Sequence, residues 1–292
     1  MKFLVPVDFT EITNPLLRLL KKLAQAHQAD VALLHTVSPP FYFPYPESFG
    51  VNTIDLQIMG ELQESKKEEA KQKLTGLAEF LKPLKVELLV EVGEPAEAIL
   101  EREKDYYLIF MGSHKKGLIE RILIGSTTEK VVKYSHKPIL VLKGKEPQQI
   151  KRVLVGYDFS EHARKALDFA ITLLKPFSPQ LTLLHVEETI ELPVVEGIRD
   201  VLSEKYKEEK LKHMESLSNK LKEEGLEVDV HMIQDTTPQE GIRDFIREHS
   251  EVDMVVLGSR GLSGLKRVLL GSTSSQLLRS VEIPILIHRN GE

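Results

Sequence analysis

"FLVPVDFTEITNPLLRLL" (3–20) and "VLVGYDFSEHARKALDFA" (153–170) are two versions of one segment. Each opens on a short aliphatic run, passes an aspartate and a hydroxyl-bearing turn, and enters a stretch with helical spacing of its apolar residues. That is the pattern of a strand, a turn and a helix. The correspondence continues along the chain. "VALLHTV" (31–37) matches "LTLLHVE" (181–187), and "EPAEAI" (94–99) matches "TPQEGI" (237–242). "YYLIFMGS" (106–113) matches "VDMVVLGS" (252–259), and "KPILVLK" (137–143) matches "IPILIHR" (283–289). The offset is 150 at the start and 146 at the end, so loop lengths differ while the order of segments is kept. The chain therefore reads as a tandem repeat with domains at 1–145 and 150–292, joined through the polar stretch "GKEPQQIKR" (144–152).

Within the first copy, buried strands are expected at 2–7, 31–37, 85–91, 106–111 and 138–143, with helices at 14–27 and 61–82 between them. In the second copy, strands are expected near 152–157, 181–187, 226–233, 252–258 and 284–288. Alternating β and α at this spacing means right-handed βαβ units around a parallel sheet. The expected fold class is α/β: two tandem doubly wound, Rossmann-like domains, each a five-stranded parallel sheet with helices on both faces. "SPPFYFPYPESFG" (38–50) breaks the symmetry. It reads either as a packed loop over the sheet edge or as a lid or docking surface.

Composition excludes several functions. There is no cysteine, which removes disulfides, thiolate catalysis and cysteine zinc sites and fits a reducing compartment. A net charge of −5 gives no general pull toward nucleic acid or an anionic membrane. "MKFLVPVDFT" meets Asp8 too early for the apolar core of a signal peptide, and no apolar run approaches the roughly 20 residues a bilayer requires. A cytoplasmic protein is expected.

Ligands of open parallel sheets bind beyond the carboxyl ends of the strands, where strand order reverses. In the second copy those ends deliver Asp158, His185 with Val186, and Gly258. "GSRGLSGLKRVLLGSTS" (258–274) follows the last of these and opens a helix. A helix N-terminus presents unpaired amides and a positive dipole end, which suit phosphate. Ser272, Thr273 and Ser274 add hydroxyls, Arg260 adds charge, and Gly258 and Gly261 allow close backbone approach. A carboxylate at the first strand's end suits a ribose diol. The residues describe a nucleotide pocket, with the base near Val186, the ribose near Asp158 and phosphates over Gly261 and Gly271–Ser274. Each feature also has a plain reading as turn or cap chemistry. Neither GxxxxGK[ST] nor GxGxxG follows the first strand, which removes P-loop NTPases and dinucleotide dehydrogenases.

The chain resembles the universal stress protein family in its tandem form. The family's nucleotide motif is G-x2-G-x9-G-[ST], which Gly258, Gly261, Gly271 and Ser272 match completely, with "YDFSE" and "IPILI" also fitting. The resemblance implies an adenine nucleotide alpha hydrolase-like fold and, in the ATP-binding branch, an ATP site at Gly156, Tyr157, Asp158, Val186, Leu257, Gly258, Arg260, Gly261, Gly271, Ser272, Thr273 and Ser274. It further implies Mg2+ or Mn2+ held through the phosphates. A second, degenerate site would comprise Asp8, Thr36, Gly112, His114, Lys115, Gly125, Ser126, Thr127 and Thr128. There Lys115 stands where the motif has its second glycine, and Thr36 replaces the valine at the base. Either a Cβ blocks the phosphate or the lysine ammonium reaches it; weaker or absent binding is expected. The resemblance also implies that the two domains pair within the molecule through their last strands, and it is compatible with a homodimer of whole chains.

No catalytic constellation can be placed. His35 and His185 end equivalent strands and read as hydrogen-bonded structural residues rather than bases. His162, His213, His231 and His249 lie at no metal-ligand spacing. The expected function is an ATP-binding stress-response or regulatory module, with at most weak ATP hydrolysis. The alternative is a nucleotide-independent scaffold acting through its paired sheets. An ATP pyrophosphatase-like enzyme would share the general fold, but "DFTEIT" and "DFSEHA" stand where its serine/glycine-rich loop belongs.

Overall fold

The computed structural model describes residues 1–39, 53–113, 124–144, 146–189, 196–259 and 271–289, with side chains of the two long helices from Ile58 and Lys205 onward. The stretch 40–50, read above as loop or lid, lies outside the described residues. The first half contains β1 (Lys2–Pro6), α1 (Thr13–His27), β2 (Asp30–Val37), α2 (Thr53–Leu81), β3 (Val86–Val92), α3 (Pro95–Arg102), β4 (Leu108–Ser113), α4 (Ser126–Tyr134) and β5 (Ile139–Lys143). The second half repeats the order with β6 (Arg152–Gly156), α5 (Glu161–Leu174), β7 (Gln180–Glu188), α6 (Glu196–Glu223), β8 (Glu227–Asp235), α7 (Pro238–Glu248), β9 (Met254–Gly258), α8 (Ser272–Ser280) and β10 (Ile285–His288).

Strand boundaries agree with the sequence expectation to within two residues, and one helix starts well before its expected position. Helix α2 begins at Thr53 rather than at residue 61, because "TIDLQIMG" carries no proline and one internal glycine does not stop a helix. Strand β4 begins at Leu108 rather than Tyr106. Residues Glu103–Asp105 form a 3-10 turn closed by the Tyr106 amide on the Glu103 carbonyl (3.1 Å), and the chain straightens only after it.

The strands lie in the order β3-β2-β1-β4-β5-β10-β9-β6-β7-β8. Within each half every pairing is parallel. Parallel sheets are covered on both faces, so their strands are apolar at successive positions rather than alternate ones. Phe3, Leu4 and Val5 are all fully buried. Phe3 and Val5 join the core beneath α1, α2, α5 and α6. Leu4 joins the opposite core, beneath α3, α4, α7 and α8.

The two sheets are not separate. Strand β10 runs antiparallel to β5, with Ile285 beside Val141, Leu286 beside Leu140 and Ile287 beside Ile139, all six fully buried. Ten strands thus form one sheet whose edges are β3 and β8. An unpaired apolar edge is a template for association. Outer strand β8, "EVDVHMIQD", is instead studded with charge.

Each last strand ends in a buried cation that reaches into the other half. Lys143 Nζ donates to the Leu277 carbonyl (3.4 Å) and to that of Leu278, in the last turns of α8. Arg289 donates to the Val132 carbonyl near the end of α4. Both thereby meet carbonyls in the last turns of a helix, where a positive charge is favoured. Arg279 on α8 and Glu129 on α4 form a further ion pair, and the Tyr107 and Phe169 rings stack at 5.2 Å.

Burial holds the Lys143 ammonium down at about 8, from an ordinary 10.5. Between those values the unfolded chain binds a proton that the folded chain does not, so stability rises with pH across that window. Urea denaturation on either side of the window should show this rise in the natural protein and not in Lys143→Met. An equal rise in the variant would assign it to other groups.

Candidate functional site

In each half the chain leaves the first strand for a neighbour on one side and later returns on the other. The order β2-β1-β4, repeated as β7-β6-β9, opens a crevice beyond the carboxyl ends of these strands. A cavity of about 500 Å3 lies there in the second half, and one of about 220 Å3 in the first.

The second-half cavity is built from four elements. After β6 the chain turns at Asp158, whose Oδ1 accepts the Ser160 amide (3.0 Å); among the described residues no donor meets its other oxygen. Phe159 holds a left-handed φ of 64° in this turn, and its ring sits edge-on to His185 (4.7 Å) and His213 (5.6 Å). The Ser160 amide holds the Asp158 carboxylate within this turn. The end of β7 supplies Val186, Glu187 and Glu188, and α7 supplies Pro238 and Ile242. Helix α7 comes close because Gly241 has no side chain; a Cβ there would lie 2.7 Å from Val186 Cγ1. Strand β9 supplies Leu257 and Gly258, and α8 begins immediately beside them.

The start of α8 brings uncapped backbone amides to the cavity. Helices α3, α5 and α7 are capped by side chains: Glu94 accepts from Glu97 N, Ser160 from Ala163 N, and Thr237 from Glu240 N. Helix α8 is capped only by Gly271, and α4 only by Gly125; neither has a side-chain cap. Their first amides therefore remain available, with the positive dipole end behind them. Both helices begin at a cavity.

A profile of the Universal stress protein family matches residues 1–143 and again residues 149–289. The chain belongs to the universal stress protein family. A universal stress protein of Mycolicibacterium smegmatis is 24% identical over 290 residues, covering 98% of this chain and 96% of its own length. Universal stress protein MJ0577 of Methanocaldococcus jannaschii is 33% identical over 154 residues, 49% of this chain and 95% of its own length. The crystal structure of a universal stress protein from Archaeoglobus fulgidus matches with a TM-score of 0.74 at 25% identity, covering 99% of this chain and 98% of that one. No helix among the described residues of this universal stress protein is long and apolar enough to cross a membrane.

Of the second-copy residues named from sequence, Gly156, Tyr157, Asp158, Val186, Leu257, Gly258, Gly271, Ser272, Thr273 and Ser274 all line the larger cavity. Arg260 and Gly261 lie outside the described residues. Of the first-copy residues, Asp8, Thr36, Gly112, Gly125, Ser126, Thr127 and Thr128 line the smaller cavity, while His114 and Lys115 lie outside the described residues. The hydroxyls are not equivalent. Ser274 donates to the Gly258 carbonyl (3.0 Å) and Thr128 to that of Gly112 (3.1 Å), each tying its helix to the preceding strand. Ser272 is exposed and Thr273 half-buried, and both line the cavity.

His35 and His185 are held in place by backbone carbonyls. Their Nδ1 atoms face the carbonyls of Val7 (2.7 Å) and Tyr157 (2.9 Å), and a carbonyl only accepts, so each Nδ1 carries its proton. Sequence reading missed Lys210, which enters the cavity wall from α6 and donates to Glu187 Oε2 at 2.6 Å. Burial pushes the Glu187 carboxyl up, but its hydrogen-bonded neighbours, Lys210 foremost, outweigh it and leave the group below its ordinary range. Pro238 and Ile242 were also missed as site residues, although "TPQEGI" repeats "EPAEAI" and so marked a shared structural element.

Gly258 has a packing role besides its place beside the cavity. A Cβ there would stand 2.9 Å from the His162 carbonyl carbon and 3.1 Å from the Ala163 nitrogen, both backbone atoms of α5. Gly258→Ala is therefore expected to lower stability by about 1–3 kcal/mol, read by urea denaturation. An unchanged midpoint would mean that α5 moves away freely.

Proposed function

We propose that this universal stress protein binds ATP in the second-half cavity and acts as a nucleotide-dependent regulatory switch in the cytoplasm. One observation carries the reading: three chemistries converge on one cavity of about 500 Å3. Val186, Ile242 and Leu257 offer an apolar shelf for adenine. Asp158 offers a carboxylate oxygen to the ribose diol. The uncapped start of α8, with Ser272 and Thr273, offers amides and hydroxyls to the phosphates. The volume also suits the reading, since pockets for ligands of this class span roughly 300–1,000 Å3. Arg260 and Gly261 join the phosphate end through the glycine motif. Mg2+ or Mn2+ would be held by the phosphate oxygens, supplying charge neutralisation there.

On the same reading the chain comprises two domains, 1–145 and 150–292, which pair internally through their last strands. The second domain senses nucleotide. The first, with a smaller cavity of about 220 Å3 and Lys115 where the motif has its second glycine, binds nucleotide more weakly or not at all. No residue is assigned a catalytic role, and any hydrolysis is slow.

Calorimetric titration of nucleotide-stripped protein with Mg-ATP should give a stoichiometry near one. The melting temperature should rise, as expected when a ligand at 100 times its Kd adds about 2.7 kcal/mol. Asp158→Ala should weaken binding roughly tenfold or more, the scale of a hydrogen bond to a charged group. Absence of both heat and thermal shift would refute the nucleotide reading and favour a scaffold acting through its paired sheets.

A further inference from the structure

We propose that the side chains of Glu187 and Lys210 read the nucleobase in the second-half cavity and select a 6-amino purine over a 6-oxo purine. This rests on the nucleotide reading above and adds a specificity to it. A polar couple stands beside the apolar shelf. Glu187 directly follows Val186 on β7, Lys210 comes from α6, and both line the cavity.

The carboxylate is held at one of its two oxygens. Lys210 Nζ donates to Oε2 at 2.6 Å, and His185 Nε2 stands 3.2 Å from the same oxygen. His185 is itself only 8% exposed, with its Nδ1 on the Tyr157 carbonyl (2.9 Å). Among the described residues no donor meets the other carboxylate oxygen, Oε1. The group lies below its ordinary range in spite of its burial, so it is ionised and each oxygen only accepts. An ammonium has three N–H donors, and Lys210 gives one of them to Glu187. The couple therefore offers an acceptor and a donor side by side.

Purines differ in what they present to such a couple. At its N6–N7 edge adenine carries a donor and an acceptor, whereas guanine carries two acceptors, O6 and N7. Adenine satisfies both protein groups. Guanine would set O6 against a carboxylate oxygen with no proton between them, at a half-buried place where lost water is not replaced. The first half has no such couple. Val37 stands where the repeat has Glu187, and among the described residues none from α2 lines the smaller cavity. An ion pair that only tied α6 to β7 would be blind to the base.

The test measures Kd for Mg-ATP and Mg-GTP by calorimetry on the full chain, on Glu187→Gln and on Lys210→Met. The natural protein should prefer ATP by about tenfold or more. Glu187→Gln keeps the shape and an oxygen for Lys210 but turns a donor NH2 toward the base, so the preference should move toward GTP by about tenfold or more. The natural protein should also favour ATP over 7-deaza-ATP, which lacks the N7 acceptor, by about threefold or more, and Lys210→Met should bind these two equally. Equal affinity of the natural protein for ATP and GTP, an unmoved preference in Glu187→Gln, or a 7-deaza-ATP penalty that survives in Lys210→Met would each overturn the proposal and leave the nucleotide reading intact. Binding of neither nucleotide would overturn both.

Discussion

The structure depends on the reversal of strand direction of travel at β1 and at β6. A parallel strand needs a crossover, and a crossover needs a helix on one face. When the chain moves from β1 to β2 and later to β4 on the other side, the two connections depart in opposite directions. Nothing then fills the space above the central strand. Whatever the chain places at those strand ends faces a common crevice. Here it places an aspartate locked in a tight turn and the uncapped start of a helix. The geometry of the site is thus a consequence of topology, and its chemistry a consequence of a few residues at strand ends.

Repeating the unit creates a second problem, the apolar last strand of each half. The antiparallel meeting of β5 and β10 buries both and makes one sheet. It also brings the two crevice helices together. Lys143 of the first half holds carbonyls at the end of α8, and Arg289 of the second holds one at the end of α4. Each helix therefore has its N-terminus at a cavity of its own half and its C-terminus fastened to the other half. The sheet is symmetric in plan, yet the cavities are not. Ile12, Thr13 and Leu16 line the smaller cavity at the positions of His162, Ala163 and Ala166 in the repeat.

Much of this was legible in the sequence. The repeat, the strand positions and the fold class follow from apolar runs that two-sided burial requires. The strand-end rule alone identified Asp158, Val186 and Gly258, because a strand delivers its last residues to a predictable place. Residues reaching the site from helix flanks were not legible. Lys210 depends on how α6 lies across the sheet, and Pro238 and Ile242 depend on the close approach that Gly241 permits. The buried reach of Lys143 and Arg289 was hidden for a similar reason, since it needs the register of β5 against β10.

The central claim is that the two cavities of this universal stress protein differ in what they hold, with nucleotide in the second half. Photo-crosslinking with 8-azido-ATP, followed by peptide mapping, tests it most directly. The account predicts label on peptides from β7 and α7, around Val186 and Ile242, with excess ATP protecting them. Equal label on the corresponding first-half peptides, around Thr36 and Ile99, would contradict it.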